Sequence, residues 1–354
     1  MSRDIGIDFG TANVLIHFKG RGIVVNEPSV VAVDSRSHEI IEVGKRAYEM
    51  IGRTPESIEI IHPLKGGVIA DFDLAEAMLV LFLEKIHARR WFSKPNVLIC
   101  CPSNISEIEQ LSLVEATERA IGGRIFIEEE SKIAAVGAGI DLTDASANMI
   151  MDIGGGTTDI AVISSGEIVN SESLKVAGDD FDLAIVQYFK EHHNLLIGER
   201  SAEEVKKMLA SALPVEEGEL ATYDLKGRDL VSGLPRSLNV TSNHIYEAIR
   251  PQLQIIARTA RRILEDTEPE MVADIIEKGI ILTGGGAMTY HLDTYLTEEL
   301  GVSALRAEQP MSCVAIGTGL MLELILSGKL ERKNVSEKHK LKRWFLRLKR
   351  RLIG

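Results

Sequence analysis

The sequence predicts an α/β fold with two domains. Short apolar strands alternate with helical stretches, as in a sheet covered by helices on both faces. With 354 residues and 45% hydrophobic content, the chain is long enough for two domains. Two similar segments, each an apolar strand that ends in an acid and turns through glycine, carry Asp8 and Asp152, 144 positions apart. We therefore expect one sheet in each half.

Local patterns place the individual elements. A capping box at Asp73 and Glu76 predicts a helix over 74–88, and Ser106 with Glu109 starts another that Gly122 should end. A third helix is predicted over 243–266, with Pro251 inside it. The apolar runs predict strands at 4–9, 13–18, 29–33, 96–101, 149–153, 159–164 and 279–283.

The two glycine turns have the chemistry of phosphate-binding hairpins. Glycine leaves backbone N–H groups free to meet an anion, without a side chain in the way. An acid beside a phosphate is tolerable only with a cation between them, so Asp8 and Asp152 are candidate Mg²⁺ ligands, directly or through water. A single copy is equally typical of an ordinary glycine-rich turn; two copies, each opening one half of the chain, favour a nucleotide triphosphate site.

A third glycine turn follows the strand at 279–283. Gly284, Gly285, Gly286 and Ala287 would let the backbone lie flat against a base or a ribose. We interpret this turn as the nucleoside platform.

The ordered set of glycine turns, closed by the segment Cys313–Gly319, resembles the actin, Hsp70 and sugar-kinase superfamily. Longer runs narrow the resemblance to the MreB/Mbl family, bacterial actins of cell shape, over about residues 4–328. Within this family, the segment Ile99–Pro102, the triple acid 128–130 and the pair Thr158–Asp159 resemble Mbl more than MreB. The runs lie at 6–13, 26–30, 52–55, 63–71, 152–158, 177–179, 196–200 and 233–236.

The resemblance implies an actin-like fold, with two α/β domains that each carry a smaller inserted subdomain around a nucleotide cleft. It implies ATP and Mg²⁺ as cofactors. The implied subdomains are IA at 1–33 and 66–140, IB at 34–65, IIA at 141–180 and 242–330, and IIB at 181–241, followed by a tail at 331–354.

Residue roles implied by the resemblance fall on the turns described above. Glu130 and Thr157 would orient the attacking water, and a carboxylate can accept its proton. The proline that usually follows this glutamate is Ser131 here, which could shift Glu130 slightly. Phosphate contacts fall on Thr11, Ala12, Asn13, Gly155, Gly156 and Thr157; ribose and base contacts fall on Glu203, Glu204, Val205, Lys206 and 284–287.

Charge and cysteine content limit the partners and the compartment. The net charge of −12 combines +9 from Arg332 onward with −21 for the rest, and such an acidic body argues against nucleic acid as a partner. Three cysteines without disulfide or zinc spacing fit a reducing cytoplasm. Met1-Ser-Arg-Asp leads directly into the first strand, so we expect no signal peptide, and no apolar run of 18 residues predicts a membrane span.

Two segments are candidates for contact with an anionic membrane surface. The tail spaces Leu341, Trp344, Phe345, Leu348 and Leu352 on one helical face and bases on the other, as in interfacial helices. The alternative is a basic tail that docks on a protein or on the acidic body. Trp91 and Phe92 form the second candidate, since the corresponding loop of MreB proteins touches membrane; the alternative is a buried loop anchor.

We therefore expect a filament protein that is cytoplasmic and peripheral on the inner face of the cell membrane. It would form homopolymers, turn over ATP slowly, and work with membrane proteins of the cell-wall elongation machinery to determine rod shape. A small-molecule kinase of the same fold would need a substrate acid and a sugar pocket, for which no signature is seen. A chaperone ATPase would need a large peptide-binding domain after residue 330.

Overall fold

A computed structural model describes residues 4–86, 95–101 and 106–330. These residues form two compact units. Unit 1 contains the described residues of Met1–Met50, Thr54–Gly137 and Ser312–Gly354, and unit 2 contains Ile51–Arg53 and Ala138–Met311.

The strands are, in chain order, β1 (Ile5–Phe9), β2 (Asn13–Phe18), β3 (Gly22–Pro28), β4 (Val31–Asp34), β5 (Ile40–Val43), β6 (Ile58–Ile61), β7 (Leu64–Lys65), β8 (Val68–Ile69), β9 (Asn96–Cys101), β10 (Arg124–Glu129), β11 (Asn148–Ile153), β12 (Thr158–Ser164), β13 (Glu167–Leu174), β14 (Leu195–Leu196), β15 (Thr222–Asp229), β16 (Pro235–Thr241), β17 (Ile280–Thr283) and β18 (Ala304–Arg306). The α-helices are α1 (Lys45–Glu49), α2 (Phe72–Lys85), α3 (Glu107–Ala120), α4 (Glu130–Gly137), α5 (Gly178–His193), α6 (Glu199–Leu209), α7 (Ser242–Glu265), α8 (Pro269–Lys278), α9 (Leu292–Leu300) and α10 (Cys313–Leu326).

The main sheets of the two units have the same construction. In unit 1 the strand order is β10-β9-β1-β2-β3, with β1, β9 and β10 parallel and the β1–β2–β3 meander antiparallel. In unit 2 the order is β13-β12-β11-β17-β18, again an antiparallel meander continued by parallel strands. The predicted repeat around Asp8 and Asp152 therefore corresponds to the first hairpin of each sheet.

Each unit also contains a small sheet. Strands β5-β4-β6 form one in unit 1, and β14-β15-β16 form the other in unit 2. These sheets lie within the predicted insertions, 34–65 and 181–241, except for β4, which begins at Val31. The four-subdomain division itself stays a prediction.

Helix α10 packs in unit 1, although the sequence-based division assigned 242–330 to subdomain IIA. Glycines permit this packing. A Cβ on Gly317 would lie 2.0 Å from Ile133 O of α4, and one on Gly137 would lie 1.8 Å from Cys313 O. A Cβ on Gly6 of β1 would lie 1.9 Å from Thr318 Oγ1. At Gly317 and Gly137 the backbones approach too closely for any larger residue, and at Gly6 the obstacle is the Thr318 side chain.

The predicted apolar strands match β1, β2, β9, β11, β12 and β17 to within one residue. Other predictions need correction. Helix α2 begins at Phe72, two residues before the predicted start at 74. The reason is that the side chain of Asp71, rather than that of Asp73, accepts the capping hydrogen bond from Leu74 N, at 3.0 Å. The predicted strand at 29–33 is β4, at Val31–Asp34, and a separate β3 precedes it. In the described ranges, no helix is long and apolar enough to cross a membrane.

Candidate nucleotide and metal site

The turn between β1 and β2 is fixed by the segments that follow it. Ser29 Oγ donates to Gly10 O at 2.6 Å, and Ser29 N donates to Ala12 O at 2.9 Å. Gly67 N donates to Thr11 Oγ1 at 3.1 Å. Gly10 is required because a Cβ there would lie 2.8 Å from Asn13 O. The predicted phosphate contacts Thr11 and Asn13 are half-exposed and Ala12 is exposed, so a ligand can reach them.

Asp8, near the end of β1, is 8% exposed. Desolvation raises the pKa of its carboxyl group to about 7. No hydrogen bond or ion pair reaches this carboxylate from the part of the chain that the structure describes. A buried carboxylate without a donor is costly, and a cation relieves that cost, so Asp8 fits the predicted role of Mg²⁺ ligand.

Glu130 begins α4 directly after β10, and the structure brings it close to Asp8. One donor atom of each of Asp8, Cys100 and Glu130 lies within 4.8 Å of the other two. Cys100 comes into this group because it pairs with Asp8 in the parallel register of β9 and β1. Sequence reasoning did not include Cys100 in the site, although an apolar strand that ends beside β1 could have suggested it.

In unit 2, the β11–β12 hairpin places Asp152 and Thr157 at its closed end. Gly154 N donates to Thr157 O at 2.9 Å and closes the turn. Asp152 is 4% exposed, and its register partner across the hairpin is Asp159, 2% exposed. Desolvation raises the pKa of Asp159, against the lowering effect of the Ser173 and Thr157 hydroxyls. Sequence reasoning missed this second acid, which its place two residues after Thr157 could have revealed.

The turn after β17 packs directly on this hairpin. Gly284 has φ +80°, and a Cβ there would lie 2.4 Å from Asp152 Oδ1. A Cβ on Gly286 would lie 2.2 Å from Ile153 Cγ2. At Gly285, by contrast, a Cβ would meet no described atom within 4 Å, so this backbone faces open space. Ala287 is buried. The open position is the one at which a ligand could lie against the backbone.

The predicted nucleoside residues on α6 have different environments. Glu203 pairs with Lys207, and Glu204 Oε1 lies 3.2 Å from Arg200 Nε. Val205 is fully buried in the core of unit 2, so its side chain is not available to a ligand.

Lys206 connects α6 to the glycine turn. Its ammonium donates to Gly178 O at 2.7 Å and to Asp182 Oδ2 at 2.8 Å. Gly178 N and Asp179 N in turn donate to the carbonyl oxygens of Gly154 and Gly155, at 3.1 and 2.8 Å. Unit 2 thus brings together Asp152, the predicted phosphate contacts Gly155, Gly156 and Thr157, and the platform at 284–287.

The predicted membrane contacts lie outside the described residues. They are Trp91 and Phe92 in the loop, and Leu341, Trp344, Phe345, Leu348 and Leu352 in the tail.

This chain is similar to known proteins over nearly its whole length. Residues 2–329 match the sequence pattern of a protein family, which is described as MreB/Mbl protein. The chain belongs to the MreB/Mbl family. It is 54% identical over 322 residues to the cell shape-determining protein Mbl of Bacillus subtilis (strain 168), covering 91% of this chain and 96% of Mbl. It is 42% identical over 329 residues to the cell shape-determining protein MreB of Escherichia coli (strain K12), covering 92% and 94%.

Solved structures of the MreB/Mbl family show the same fold. MreB5 of Spiroplasma citri bound to ADP superposes with a TM-score of 0.87 at 37% identity, covering 92% of this chain and 97% of MreB5. The same protein bound to AMPPNP gives 0.87 at 36% identity, covering 93% and 99%. The fold is therefore actin-like, as the resemblance implied.

Proposed function

We propose that this chain is an ATP-dependent, membrane-associated, actin-like filament protein that organises cell-wall elongation and thereby determines rod shape. The relatives named above are cell shape-determining proteins, and MreB5 of Spiroplasma citri was solved with ADP and with AMPPNP. The observation that carries the proposal is the recurrence, in each unit, of a closed glycine turn beside a buried aspartate.

In this proposal, the turn residues bind the nucleotide phosphates through backbone N–H groups. Thr11, Ala12 and Asn13 contribute from unit 1, and Gly155, Gly156 and Thr157 contribute from unit 2. Preorganised N–H donors stabilise charge that develops on a transferring phosphoryl group. The hydrogen bonds from Ser29 and Gly67 hold the first turn, while Gly154 N holds the second.

Asp8 and Asp152 would hold Mg²⁺, directly or through water. The cation would offset the negative charge of the phosphates. Both carboxylates are buried at strand ends, so they are already desolvated before a cation binds. A bound cation would favour the ionised form of Asp8, whose pKa desolvation raises to about 7.

Glu130 and Thr157 would act on the attacking water. Glu130 would orient it and accept its proton, and the Thr157 hydroxyl would hold a second hydrogen bond to it. Asp159, whose pKa desolvation raises against the effect of the Ser173 and Thr157 hydroxyls, would orient the Thr157 hydroxyl. Turnover would be slow and regulatory, coupled to polymerisation.

The nucleoside would bind to the platform at 284–287 and to the α6 residues Glu203, Glu204 and Lys206. Val205 would contribute only through its backbone.

Filaments would lie on the cytoplasmic face of the cell membrane, attached through the tail and through Trp91 and Phe92. At about 1 kcal/mol for each basic residue near an anionic surface, the tail alone supplies substantial attraction. Polymerisation would add avidity, and membrane proteins of the elongation machinery would be the partners.

Electron microscopy of the purified chain with nucleotide and anionic liposomes tests this proposal. We expect filaments on the liposomes with ATP and Mg²⁺, and none for Asp152→Ala, which removes a cation ligand and keeps the hairpin. ATP and GTP are compared in parallel. Turnover that is stimulated by a small metabolite, without filaments, would instead indicate a kinase and contradict the proposal.

A further inference from the structure

The carboxyl ends of three adjacent parallel strands bring two carboxyl groups and a thiol together in unit 1. Asp8 of β1 lies beside Cys100 of β9 in the register of the sheet, and Glu130 follows directly after β10. Their three donor atoms lie within 4.8 Å of one another. Ligands of α/β sheets commonly bind in the crevice outside the carboxyl ends of parallel strands.

Asp8 makes this group a candidate for binding a cation. This residue is 8% exposed, and one of its carboxylate oxygens lies within 4.8 Å of the other two donor atoms. The described parts of the chain provide neither a hydrogen-bond donor nor a cationic side chain to it. Burial of a carboxylate without such a partner is unfavourable. A bound metal ion would supply the missing positive charge.

The thiol determines which cations bind best. Mg²⁺ prefers an octahedral shell of oxygen atoms and keeps several waters, so a thiolate adds little to its binding. Zn²⁺ and other borderline or soft cations bind thiolate together with carboxylate oxygen. We propose that Asp8, Cys100 and Glu130 form a binding site for a thiophilic divalent cation such as Zn²⁺. The Cys100 thiol loses its proton to solvent on binding, and water completes the fourth position.

The spacing of the donor atoms suits such an ion after small side-chain adjustments. Zn–S and Zn–O bonds of about 2.3 and about 2.1 Å set an upper limit of about 4.4 Å on the separation of a sulfur and an oxygen ligand. The observed limit of 4.8 Å for the group is only slightly wider. Rotation of the longer Glu130 side chain can shorten the distance between the ligand atoms by this amount without moving the strands.

Occupancy by Zn²⁺ would have a regulatory consequence, which rests on the proposed function. The ion would engage Glu130, which is then no longer available to orient water, and it would compete with Mg²⁺ for Asp8. Nucleotide turnover would stop without any change in the fold. Binding of the metal itself does not depend on that function.

Cadmium provides a direct test, because a cadmium–thiolate bond gives an ultraviolet charge-transfer absorption. The full-length chain, freed of metal and nucleotide, is titrated with Cd²⁺. We expect one equivalent to produce the band and Zn²⁺ to abolish it by displacement. Cys100→Ser should lose the band. Cys101→Ala is the matched control and should keep it, because the Cys101 Sγ packs toward Glu128 O at 3.5 Å, outside the group. A band that survives Cys100→Ser, or no band at all, overturns the proposal.

Further variants test the carboxylates. Asp8→Asn and Glu130→Gln should each weaken Cd²⁺ binding at least about tenfold, since loss of even an outer-shell partner commonly costs that much. Unchanged affinity in both variants contradicts a three-residue site. Circular dichroism shows whether each variant is folded, and if Cys100→Ser is not, the carboxylate variants decide. Zn²⁺ inhibition of turnover should disappear in Cys100→Ser. If the chain turns over no nucleotide, the proposed function fails while the absorption result still decides the metal site.

Discussion

Lys206 Nζ lies 2.8 Å from Asp182 Oδ2, and the two side chains are 16% and 12% exposed. The same ammonium donates to Gly178 O, at the start of α5. Since the first residues of α5 are hydrogen-bonded to the Gly154–Gly155 turn, this mostly buried ion pair supports the candidate phosphate site from behind.

At about pH 8, where Asp182 is ionised although desolvation raises its pKa to about 7, Lys206→Met should destabilise the protein by about 3 kcal/mol, because removal of one partner leaves a buried carboxylate uncompensated. Chemical denaturation measures the change in the free energy of unfolding. Lys207→Met is the matched control, one position further along the same helix. The Lys207 side chain is 64% exposed and that of its partner Glu203 is 26% exposed, so solvent screens this pair and the loss should be below about 1 kcal/mol. Equal losses would show that the Lys206 pair has no special role.

The stability of the nucleotide-free protein should fall as pH rises from about 4 to about 7. Desolvation raises the pKa of Asp182 to about 7 and that of Asp179 to about 6, while Lys206 opposes both shifts. In this window the folded state holds more protons than the unfolded state, so the free energy of unfolding falls as pH rises. Thermal melting at several pH values tests this, and Asp182→Asn should flatten the dependence. A wild-type profile that is flat or rises would contradict the cited burial effect.

Gly317→Ala should destabilise the chain by about 3 kcal/mol or more, because its Cβ would lie 2.0 Å from Ile133 O and the α4–α10 contact would have to open. Gly218→Ala is the control, since a Cβ there meets no described atom within 4 Å. Its effect should stay below about 0.5 kcal/mol. Chemical denaturation of both variants measures the difference, and a tolerated Gly317→Ala would mean that the two helices can separate cheaply.

Glu130→Ala should slow phosphate release by about 10²-fold with nucleotide affinity nearly unchanged, since that is the usual contribution of a positioned acid or base. Filaments should consequently persist longer. A phosphate-release assay with nucleotide binding in parallel makes the measurement. An unaltered rate would indicate that Ser131, in place of the usual proline, has moved Glu130 out of this role.

Deletion of 338–354 should greatly weaken sedimentation with anionic liposomes. Salt should weaken binding of the full-length chain as well, since surface charges are screened within about 8 to 10 Å at physiological ionic strength. Trp344→Ser with Phe345→Ser keeps every charge and should do similar damage, because interfacial binding also scales with buried apolar area. If the truncated chain binds normally, Trp91 and Phe92 are the anchor. If changes at neither segment reduce sedimentation with liposomes, the hypothesis of membrane attachment is wrong for this chain.

Local patterns predicted the parts of the fold that local chemistry determines. The apolar strands before Asp8 and Asp152 were found because they are buried on both faces and bounded by glycine. Strands β13, β15 and β16 were missed because their exposed and buried positions are mixed with many polar residues. Contacts between residues that are far apart in the chain could not be predicted from a single sequence.

The contacts at the site that were not predicted illustrate that limit. Cys100 joins Asp8 only through the register of two strands far apart in the chain. Lys206 meets Asp182 across 24 positions, after α5 and α6 have packed together. The place of α10 in unit 1 depends on the close approach of Gly137 to Cys313, a contact that no periodicity indicates.

That approach of Gly137 to Cys313 also makes residues 138–311 one continuous insertion whose two ends are anchored side by side in unit 1. An insertion with adjacent ends adds little loop-closure entropy to the folding of its host. The same closeness gives a route for protein engineering. A short Gly-Ser bridge from Gly137 to Ser312 would join the two parts of unit 1 directly, and residues 138–311 could be expressed as a separate polypeptide.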